Sequence, residues 1–262
     1  EKLFLKNSPS YVVDYDDAIF HNYDSSKNVL FKYIFNKKIA KIMFNASAVV
    51  VGNDYLKNYA KKAGAKNITI LPTVVDLDLY PSINYISNKK IIKVGWIGSP
   101  QTIKFLKPIF SVFKKLAKDL NVKFIAIGVN DSDVGISLVK TKKWSYEKET
   151  ILLQDIDIGI MPLPNNGWTK GKCGYKLIQY MASFKPVIAS PIGINNEIVK
   201  HGENGYLAST FEDWEKYLRI LINSKNLRHS MGIKGRKIVE KKYSLDSNKD
   251  TYLNIFDKLM NH

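Results

Sequence analysis

Residues 156–190 read IDIGIMPLPNNGWTKGKCGYKLIQYMASFKPVIAS. The first six residues are mostly apolar and are followed by Pro162, which predicts a buried strand at 156–161. After a loop rich in glycine and lysine, residues 175–184 have the apolar spacing of a helix. A second apolar run at 186–189 predicts another strand. The segment is therefore a strand–helix–strand unit, from which parallel sheets are built.

The same alternation of strands and helices continues on both sides of this segment. Further strands are predicted at 10–14, 48–51, 68–71, 91–97 and 122–127. Helices are predicted at 29–45, at 54–63 with Asp54 as the N-cap, at 146–153, and at 101–120 with Ser99 as the N-cap and a kink at Pro108. Strands that are apolar throughout and alternate with helices indicate an α/β fold whose parallel sheets are covered on both faces. A polar stretch at 80–90 predicts a domain boundary near residue 85.

Charge and composition limit the classes of function. The formal net charge is +16, which indicates affinity for an anionic ligand such as a phosphorylated molecule, acidic lipid or nucleic acid; a solvated basic surface is the alternative. Cys173 is the single cysteine, so an internal disulfide is excluded and a reducing compartment is expected. The four histidines do not cluster, and we predict no metal site. No apolar run is long enough to span a membrane.

Loop 170–176 brings lysines and glycines to the start of a helix, at the edge of the sheet where ligands bind. The first N–H groups of a helix and nearby lysines suit a phosphate. We therefore predict catalytic or charge-stabilising roles for Lys172 and Lys176, with Lys104 reaching the same phosphates. The remaining residues of this predicted phosphate subsite lie along the loop and first helical turn: Gly171, Cys173, Gly174, Tyr175 and Leu177. The alternative is an exposed loop without a ligand.

Several segments, in order, resemble the GT-B glycosyltransferases grouped as glycosyltransferase family 4. DIGIMPLP at 157–164, GKCGYKLIQYMA at 171–182 and KPVIASPIG at 185–193 resemble the donor-site region, and HGENGYLA at 201–208 resembles the segment that follows it. VGWIGSP at 94–100 resembles the opening strand and glycine loop of the C-terminal domain. VDYDDAIF at 13–20 and LPTVVD at 71–76 resemble parts of the N-terminal domain. The resemblance covers nearly the whole chain.

This resemblance implies two Rossmann-like parallel-sheet domains, of which the N-terminal one is incomplete. Residues 1–85 would be the partial acceptor-side domain, 86–248 the nucleotide-sugar-binding domain, and 249–262 a helix crossing back to the first. The implied activity is that of a hexosyltransferase, moving a sugar from a nucleotide diphosphate-sugar to a glycan or polyprenyl-linked acceptor in cell-surface polysaccharide or glycoconjugate synthesis. It further implies retention of configuration, no cofactor and no essential metal. We expect a cytoplasmic protein with peripheral contact to an anionic membrane.

The resemblance also assigns residues. The loop of Gly98 and Ser99 would approach the diphosphate. Many family members carry two glutamates in this loop and helix, and the matching residues here are Gly171 and Gln179. Gln179 is expected to bind the ribose. Gly171 supplies no carboxylate for the sugar. A catalytically inactive, nucleotide-binding relative is therefore an alternative. The family's N-terminal domain normally begins further upstream, so we expect the chain to be a fragment.

Other candidate residues have both a functional and a structural interpretation. Asn165 and Trp168 are predicted sugar or acceptor contacts, or parts of a lid. Asp16 lies in an acidic cluster with two interpretations, a metal or catalytic role and a turn- or cap-forming role. His21, just beyond it, is a candidate acid or base. Trp144 is expected in the core. Nucleic-acid binding is not expected because no recognised motif accompanies the charge, and a dehydrogenase is disfavoured because Gly-x-Gly-x-x-Gly is missing.

Overall fold

The structure is a computed structural model that describes residues 10–80 and 90–260. These residues form two compact units. Unit 1 contains the described residues of Glu1–Val74, Asn165–Cys173 and Asp246–His262, and unit 2 contains those of Val75–Pro164 and Gly174–Leu245. The predicted boundary near residue 85 lies outside the described residues. Segment Asn165–Cys173, which the sequence analysis included in the second domain, belongs to unit 1.

Unit 1 is built on a three-stranded parallel sheet in the order β1–β2–β3. Tyr15 pairs with Val51, which pairs with Ile70. The strands are β1 (Val12–Tyr15), β2 (Ala48–Val51) and β3 (Ile68–Ile70). The helices are α1 (His21–Asp24), α2 (Val29–Phe35), α3 (Lys38–Asn45), α4 (Asp54–Lys62) and α8 (Gly167–Lys170), with α13 (Leu245–Met260) from Asp246 onward. Met43, Val51, Leu56 and Ala60 are fully buried in the core between sheet and helices because the apolar residues of α3 and α4 face the strands.

Unit 2 is built on a six-stranded parallel sheet in the order β6–β5–β4–β7–β8–β9. The strands are β4 (Ile92–Ile97), β5 (Val122–Ile127), β6 (Val139–Lys142), β7 (Ile158–Met161), β8 (Val187–Ala189) and β9 (Gly205–Leu207). The α-helices are α5 (Phe110–Leu116), α6 (Asp131–Val134), α7 (Glu149–Asp155), α9 (Tyr175–Ala182), α10 (Asn195–Ile198), α11 (Phe211–Asn223) and α12 (Lys225–Lys242). The α/β fold class with parallel sheets is therefore confirmed.

Two apolar clusters cover the two faces of this sheet. On one face, Phe113 of α5 stacks on Phe124 of β5 with ring centroids 3.9 Å apart, and Trp214 of α11 joins the same cluster. On the other face, Leu177 and Met181 of α9 pack with Val239 of α12. Burial of apolar surface on both faces explains why the central strands carry few polar side chains.

The strand order places a ligand site at a defined point. From β4 the chain moves outward through β5 and β6, and it then returns to add β7, β8 and β9 on the other side of β4. The order therefore reverses between the neighbouring strands β4 and β7, and ligands of such sheets bind beyond the carboxyl ends of the strands at this reversal. The loop after β4 begins at Gly98.

Two predicted helices are wrong in extent. Instead of one helix at 101–120, the chain forms 3₁₀ turns at Ile103–Phe105 and Lys107–Ile109, and only then α5. Ser99 is not an N-cap: its N–H donates to the Thr102 hydroxyl at 3.1 Å, and Thr102 Oγ1 donates back to the Ser99 carbonyl, which forms a local turn that competes with the helix. Residues 29–45 are likewise divided into α2 and α3 at Asn36 and Lys37.

Two strands and one cap were not predicted. Strands β6 and β9 lie at the edges of the sheet and are short; β6 reads Val-Lys-Thr-Lys and lacks the apolar run of a central strand. The N-cap of α4 is Asn53, whose side chain accepts from the Leu56 N–H at 3.0 Å, and not Asp54. Among the described residues, no helix combines the length and apolarity needed to cross a bilayer.

Asp155 connects two strands of unit 2. Its carboxylate accepts hydrogen bonds from Lys93 of β4 and from Lys142 of β6, the latter at 2.6 Å. Burial alone would raise the pKa of Asp155, but the two lysines outweigh burial and hold the pKa below its usual value. The charged carboxylate therefore stabilises the fold above the unfolded-state pKa of about 3.9, and this contribution is lost as the pH falls through the lower folded-state pKa.

Replacing Asp155 with asparagine should lower the free energy of unfolding by about 1–2 kcal/mol at pH 7, between the values typical of surface and buried ion pairs. Urea unfolding measures the change, with exposed Asp246→Asn as the control. The difference between wild type and variant should shrink at acidic pH. A difference that is independent of pH would contradict the assigned role of the charge.

Candidate functional site

A cavity of about 420 Å³ opens in unit 2 at the carboxyl end of β4. The loops after β4, β5 and β6 and the first turns of α7 and α9 surround it. Its walls are formed by Ile97, Gly98, Ser99, Gly128, Val129, Asn130, Lys143, Trp144, Glu149, Tyr175, Lys176 and Gln179. We call this cavity the switch-point pocket. It brings together the predicted residues Gly98, Ser99, Tyr175, Lys176 and Gln179.

Close backbone contacts shape the floor of the switch-point pocket. Gly128 has φ +88°, and a Cβ there would lie 2.3 Å from the Gly98 carbonyl oxygen. A Cβ on Gly98 would lie 2.4 Å from the Trp96 ring and 2.8 Å from Lys176 Nζ. Both positions therefore require glycine, and side-chain-free backbone is left beside the Lys176 ammonium group.

Lys176 places its charge against this glycine loop. Its Nζ lies 4.3 Å from the centroid of the Trp96 ring, within the range of a cation–π interaction. Trp96 is buried in the sheet and thus fixes the ammonium group in position. The result is a cation held close to backbone at the edge where parallel sheets bind their ligands.

Helix α9 begins beside Lys176. Gly174, in a left-handed conformation, precedes its first residue, Tyr175, and within the described chain no side chain caps this start. The first N–H groups of an α-helix carry partial positive charge, so the start of α9 suits an anion. The Leu177 N–H, in the same turn, donates to the Gly174 carbonyl at 2.8 Å. The helix is fixed by Tyr180, which accepts the Ile97 N–H at 2.8 Å and packs against Gly159 of β7.

Glu149, which the sequence analysis did not single out, organises another wall of the pocket. One carboxylate oxygen accepts from Gln179 Nε2 at 2.6 Å and the other from Trp144 Nε1 at 2.7 Å. Tyr80 lies against the same group: burial, the neighbouring Tyr175 and the Glu149 carboxylate raise its pKa. Gln179 is only 2% exposed, and its side-chain amide donates to Glu149.

The prediction that Trp144 lies in the core is wrong. Its side chain is 44% exposed and lines the switch-point pocket, as does Tyr175, which is also 44% exposed. The indole is oriented by its hydrogen bond to Glu149. Two partly exposed aromatic rings in one cavity provide surfaces on which a planar ring can stack.

Lys104 does not line this pocket. It lies at a second cavity of unit 2, of about 380 Å³, together with Pro162, Ser190 and Thr210. Its Nζ is 5.5 Å from the centroid of the Phe105 ring. The 3₁₀ turns that replace the predicted helix therefore carry Lys104 to a different cavity from Lys176.

Gly171 and Cys173 are packing residues of unit 1. A Cβ on Gly171 would lie 2.4 Å from the Ala18 Cβ and 3.0 Å from the Ala18 backbone nitrogen. Asn53 Nδ2 donates to the carbonyl oxygens of Gly171 and Lys172 at 3.0 and 3.2 Å. Burial raises the pKa of the Cys173 thiol to about 12, so the thiol stays protonated. The backbone here is fixed by Asn53, and no side chain fits at residue 171.

Lys172 also belongs to unit 1, where its charge is balanced. Its Nζ lies 3.2 and 3.3 Å from the two carboxylate oxygens of Asp17. The same nitrogen lies 5.9 Å from the Trp168 ring centroid. Lys172 therefore forms a bidentate ion pair within unit 1.

His21 forms a second polar group in unit 1. Its Nδ1 is 2.8 Å from Asp24 Oδ1 and its Nε2 is 2.8 Å from the Tyr55 hydroxyl. Both contacts are satisfied when Nδ1–H donates to Asp24 and Tyr55 O–H donates to Nε2. Asp16 and Asn165 are exposed loop residues of the same unit.

Comparison of the sequence with known proteins identifies the family of the chain. Residues 86–238 match the family model described as Glycosyl transferases group 1. The chain belongs to this family. The resemblance noted in the sequence is confirmed, and the chain is a glycosyltransferase by membership.

Similar proteins include an uncharacterised glycosyltransferase of Methanocaldococcus jannaschii, which is 26% identical over 99% of this chain and 71% of its own length. Among solved structures, sucrose-phosphate synthase of Thermosynechococcus elongatus superimposes with a TM-score of 0.79 at 14% identity, covering 99% of this chain and 70% of its own.

Two further solved structures contain ligands. HepE of Anabaena, in complex with UDP and glucose, has a TM-score of 0.74 and 16% identity, covering 97% of this chain and 73% of its own. TarM of S. aureus, in complex with fondaparinux, alpha-GlcNAc-glycerol and UDP, has a TM-score of 0.73 and 20% identity, covering 95% of this chain and 51% of its own. At these identities the likeness shows that this glycosyltransferase shares their fold.

Proposed function

We propose that the protein binds a nucleotide diphosphate-sugar in the switch-point pocket and transfers the sugar to a glycan or polyprenyl-linked acceptor. The proposal is supported by three features that lie in one cavity: the Lys176 ammonium group, the uncapped start of α9, and the close backbone of Gly98 and Gly128. Together they form a cationic cradle for a diphosphate. The UDP bound by HepE and TarM supports this donor class.

The nucleoside would lie toward Trp144, Tyr175 and Glu149. The partly exposed rings of Trp144 and Tyr175 offer stacking surfaces for a base. Glu149 is a fixed acceptor, suited to the hydroxyl groups of a ribose. Gln179, the residue first expected to bind the ribose, would act by holding Glu149 in place.

The chemistry follows from where charge develops. As the bond between sugar and diphosphate breaks, negative charge builds on the leaving phosphate. Lys176 and the N–H groups of α9 would stabilise that charge without reorganising. We propose transfer with retention of configuration and without an essential metal, because the protein supplies the neutralising charge itself. Lys172 would contribute less than Lys176, because it belongs to unit 1 and does not line the switch-point pocket.

The acceptor would be bound by unit 1. His21, held between Asp24 and Tyr55, is a candidate acid or base, and Trp168, Asp16 and Asn165 are candidate contacts for sugar or acceptor. The alpha-GlcNAc-glycerol and fondaparinux in the TarM complex support a glycan-like acceptor. Synthesis of cell-surface polysaccharide is the pathway class that we propose.

Calorimetric titration with UDP, GDP and ADP in the presence of EDTA tests the donor site. We expect micromolar binding of one nucleotide, which also names the donor class. Absence of binding by all three would contradict the proposal. Hydrolysis of the matching nucleotide-sugar then separates an active transferase from a nucleotide-binding relative without turnover, because only the former releases sugar.

Glu149→Gln tests the nucleoside wall. The amide keeps the shape but removes the charge and turns one acceptor into a donor that faces Gln179 or Trp144. Loss of a charged hydrogen bond, about 1.5–3 kcal/mol, corresponds to at least tenfold weaker nucleotide binding. The control is Glu147→Gln, an exposed neighbour in the preceding turn. Unchanged affinity in Glu149→Gln would remove Glu149 from the proposed site.

A further inference from the structure

Helix α2 of unit 1 presents an unusual surface. Four apolar side chains point outward: Val29 is 80% exposed, Leu30 68%, Tyr33 81% and Ile34 58%. On a helix, residues four apart are neighbours, so Val29 pairs with Tyr33 and Leu30 with Ile34. The two rows lie side by side and form a broad apolar strip. We call them the α2 strip.

The opposite side of α2 anchors it to unit 1. Phe31 stacks on Tyr23 with ring centroids 5.9 Å apart and also contacts Phe35 at 4.8 Å. Lys38 lies over the Tyr23 ring at 5.0 Å. The helix is therefore attached through its aromatic side chains, and the α2 strip is left facing outward.

Charge around the α2 strip has a single sign. Exposed lysines lie within α2 and in the residues that flank it in the sequence: Lys27, Lys32, Lys37 and Lys41. Lys38, at the start of α3, adds a fifth positive charge. No aspartate or glutamate occurs between Asp24 and Asp54. An exposed apolar strip bordered by lysines is the pattern of a helix that lies in the surface of an anionic bilayer.

We propose that α2 docks the protein on an anionic lipid surface, with the α2 strip entering the headgroup region and the lysines contacting lipid phosphates. A nucleic acid would use the lysines but gains little from outward Leu30 and Ile34, whereas a bilayer uses both. The sequence predicted contact with an anionic membrane without locating it. This inference is independent of the donor site.

Vesicle co-sedimentation tests the proposal with the full chain. Vesicles of equal parts phosphatidylglycerol and phosphatidylcholine should bind the protein, more weakly at high salt, and vesicles of phosphatidylcholine alone should not. Replacing Lys32, Lys37 and Lys41 with glutamine should weaken binding about a hundredfold. In the matched control, Lys114, Lys118 and Lys123, which are exposed in unit 2, are replaced with glutamine. This control variant should bind vesicles better than the first variant.

The apolar part is tested by Leu30→Gln with Ile34→Gln, against Ile151→Gln with Leu253→Gln as the matched control. The first pair should weaken vesicle binding at least tenfold, about the effect expected for removing two inserted side chains. Nucleotide affinity should stay unchanged in this pair, whereas Lys176→Ala should bind vesicles normally. The proposal would be overturned if the Leu30/Ile34 variant bound vesicles as well as wild type. It would also be overturned if sedimentation showed that wild type is a dimer and this variant a monomer.

Discussion

Replacing Lys176 with alanine should weaken binding of the cognate nucleoside diphosphate about tenfold to a hundredfold. The reason is the loss of a charged hydrogen bond, about 1.5–3 kcal/mol, from a cation that Trp96 already holds in place. Because the charge on the diphosphate grows during transfer, kcat with the nucleotide-sugar should fall further than the affinity. Calorimetry and a donor-hydrolysis assay measure the two effects.

Lys104→Ala and Lys172→Ala are the controls. Lys104 lies at the second cavity, and Lys172 does not line the switch-point pocket, so both variants should retain more affinity than Lys176→Ala. If Lys104→Ala loses as much affinity as Lys176→Ala, the diphosphate lies at the second cavity. If Lys172→Ala does so, the ion pair with Asp17 opens when the nucleotide binds.

Replacing Gly171 with alanine should destabilise unit 1 by about 1–3 kcal/mol, the usual effect of overpacking. The new methyl group would overlap the Ala18 Cβ and touch the Ala18 backbone, which cannot turn away as a flexible side chain would. Gly171→Glu, which restores the glutamate common in the family, should destabilise more and should not raise turnover. Faster hydrogen exchange in peptides of β2 and α4 reports the change within unit 1.

Ala18→Gly provides a rescue for this variant. Removing the Ala18 methyl group should return part of the stability lost in Gly171→Ala, while Ala18→Gly alone has a smaller effect. A gain of activity in Gly171→Glu with normal hydrogen exchange would contradict the packing explanation. It would show instead that the site lacks only the carboxylate.

The central strands of unit 2 could be predicted because their sequences are apolar from end to end. Val122–Ile127 was predicted with its observed bounds, and β7 and β8 within two residues. The edge strands β6 and β9 could not, since each is short, only its first residue is buried, and its register depends on pairing with a neighbour. The helix predicted at 101–120 failed because Thr102 closes a turn on Ser99, a side-chain interaction that apolar spacing does not report.

The candidate site was predictable only in part. Gly98, Tyr175 and Lys176 belong to motifs, and the switch-point pocket unites them. Glu149 and Trp144 belong to no motif. They are held in the pocket by the hydrogen bonds that Glu149 accepts from Trp144 and Gln179. Gly171 to Cys173 read as part of one loop with Lys176, but Asn53 and Ala18 hold them in unit 1.

The position of the donor site is tested by a crystal structure of the protein with the nucleotide selected by calorimetry. We expect the diphosphate within hydrogen-bonding distance of Lys176 Nζ and of the first N–H groups of α9, with the base toward Trp144 and Tyr175. A nucleotide bound instead at the cavity of Lys104 and Thr210, with the switch-point pocket empty, would contradict this position.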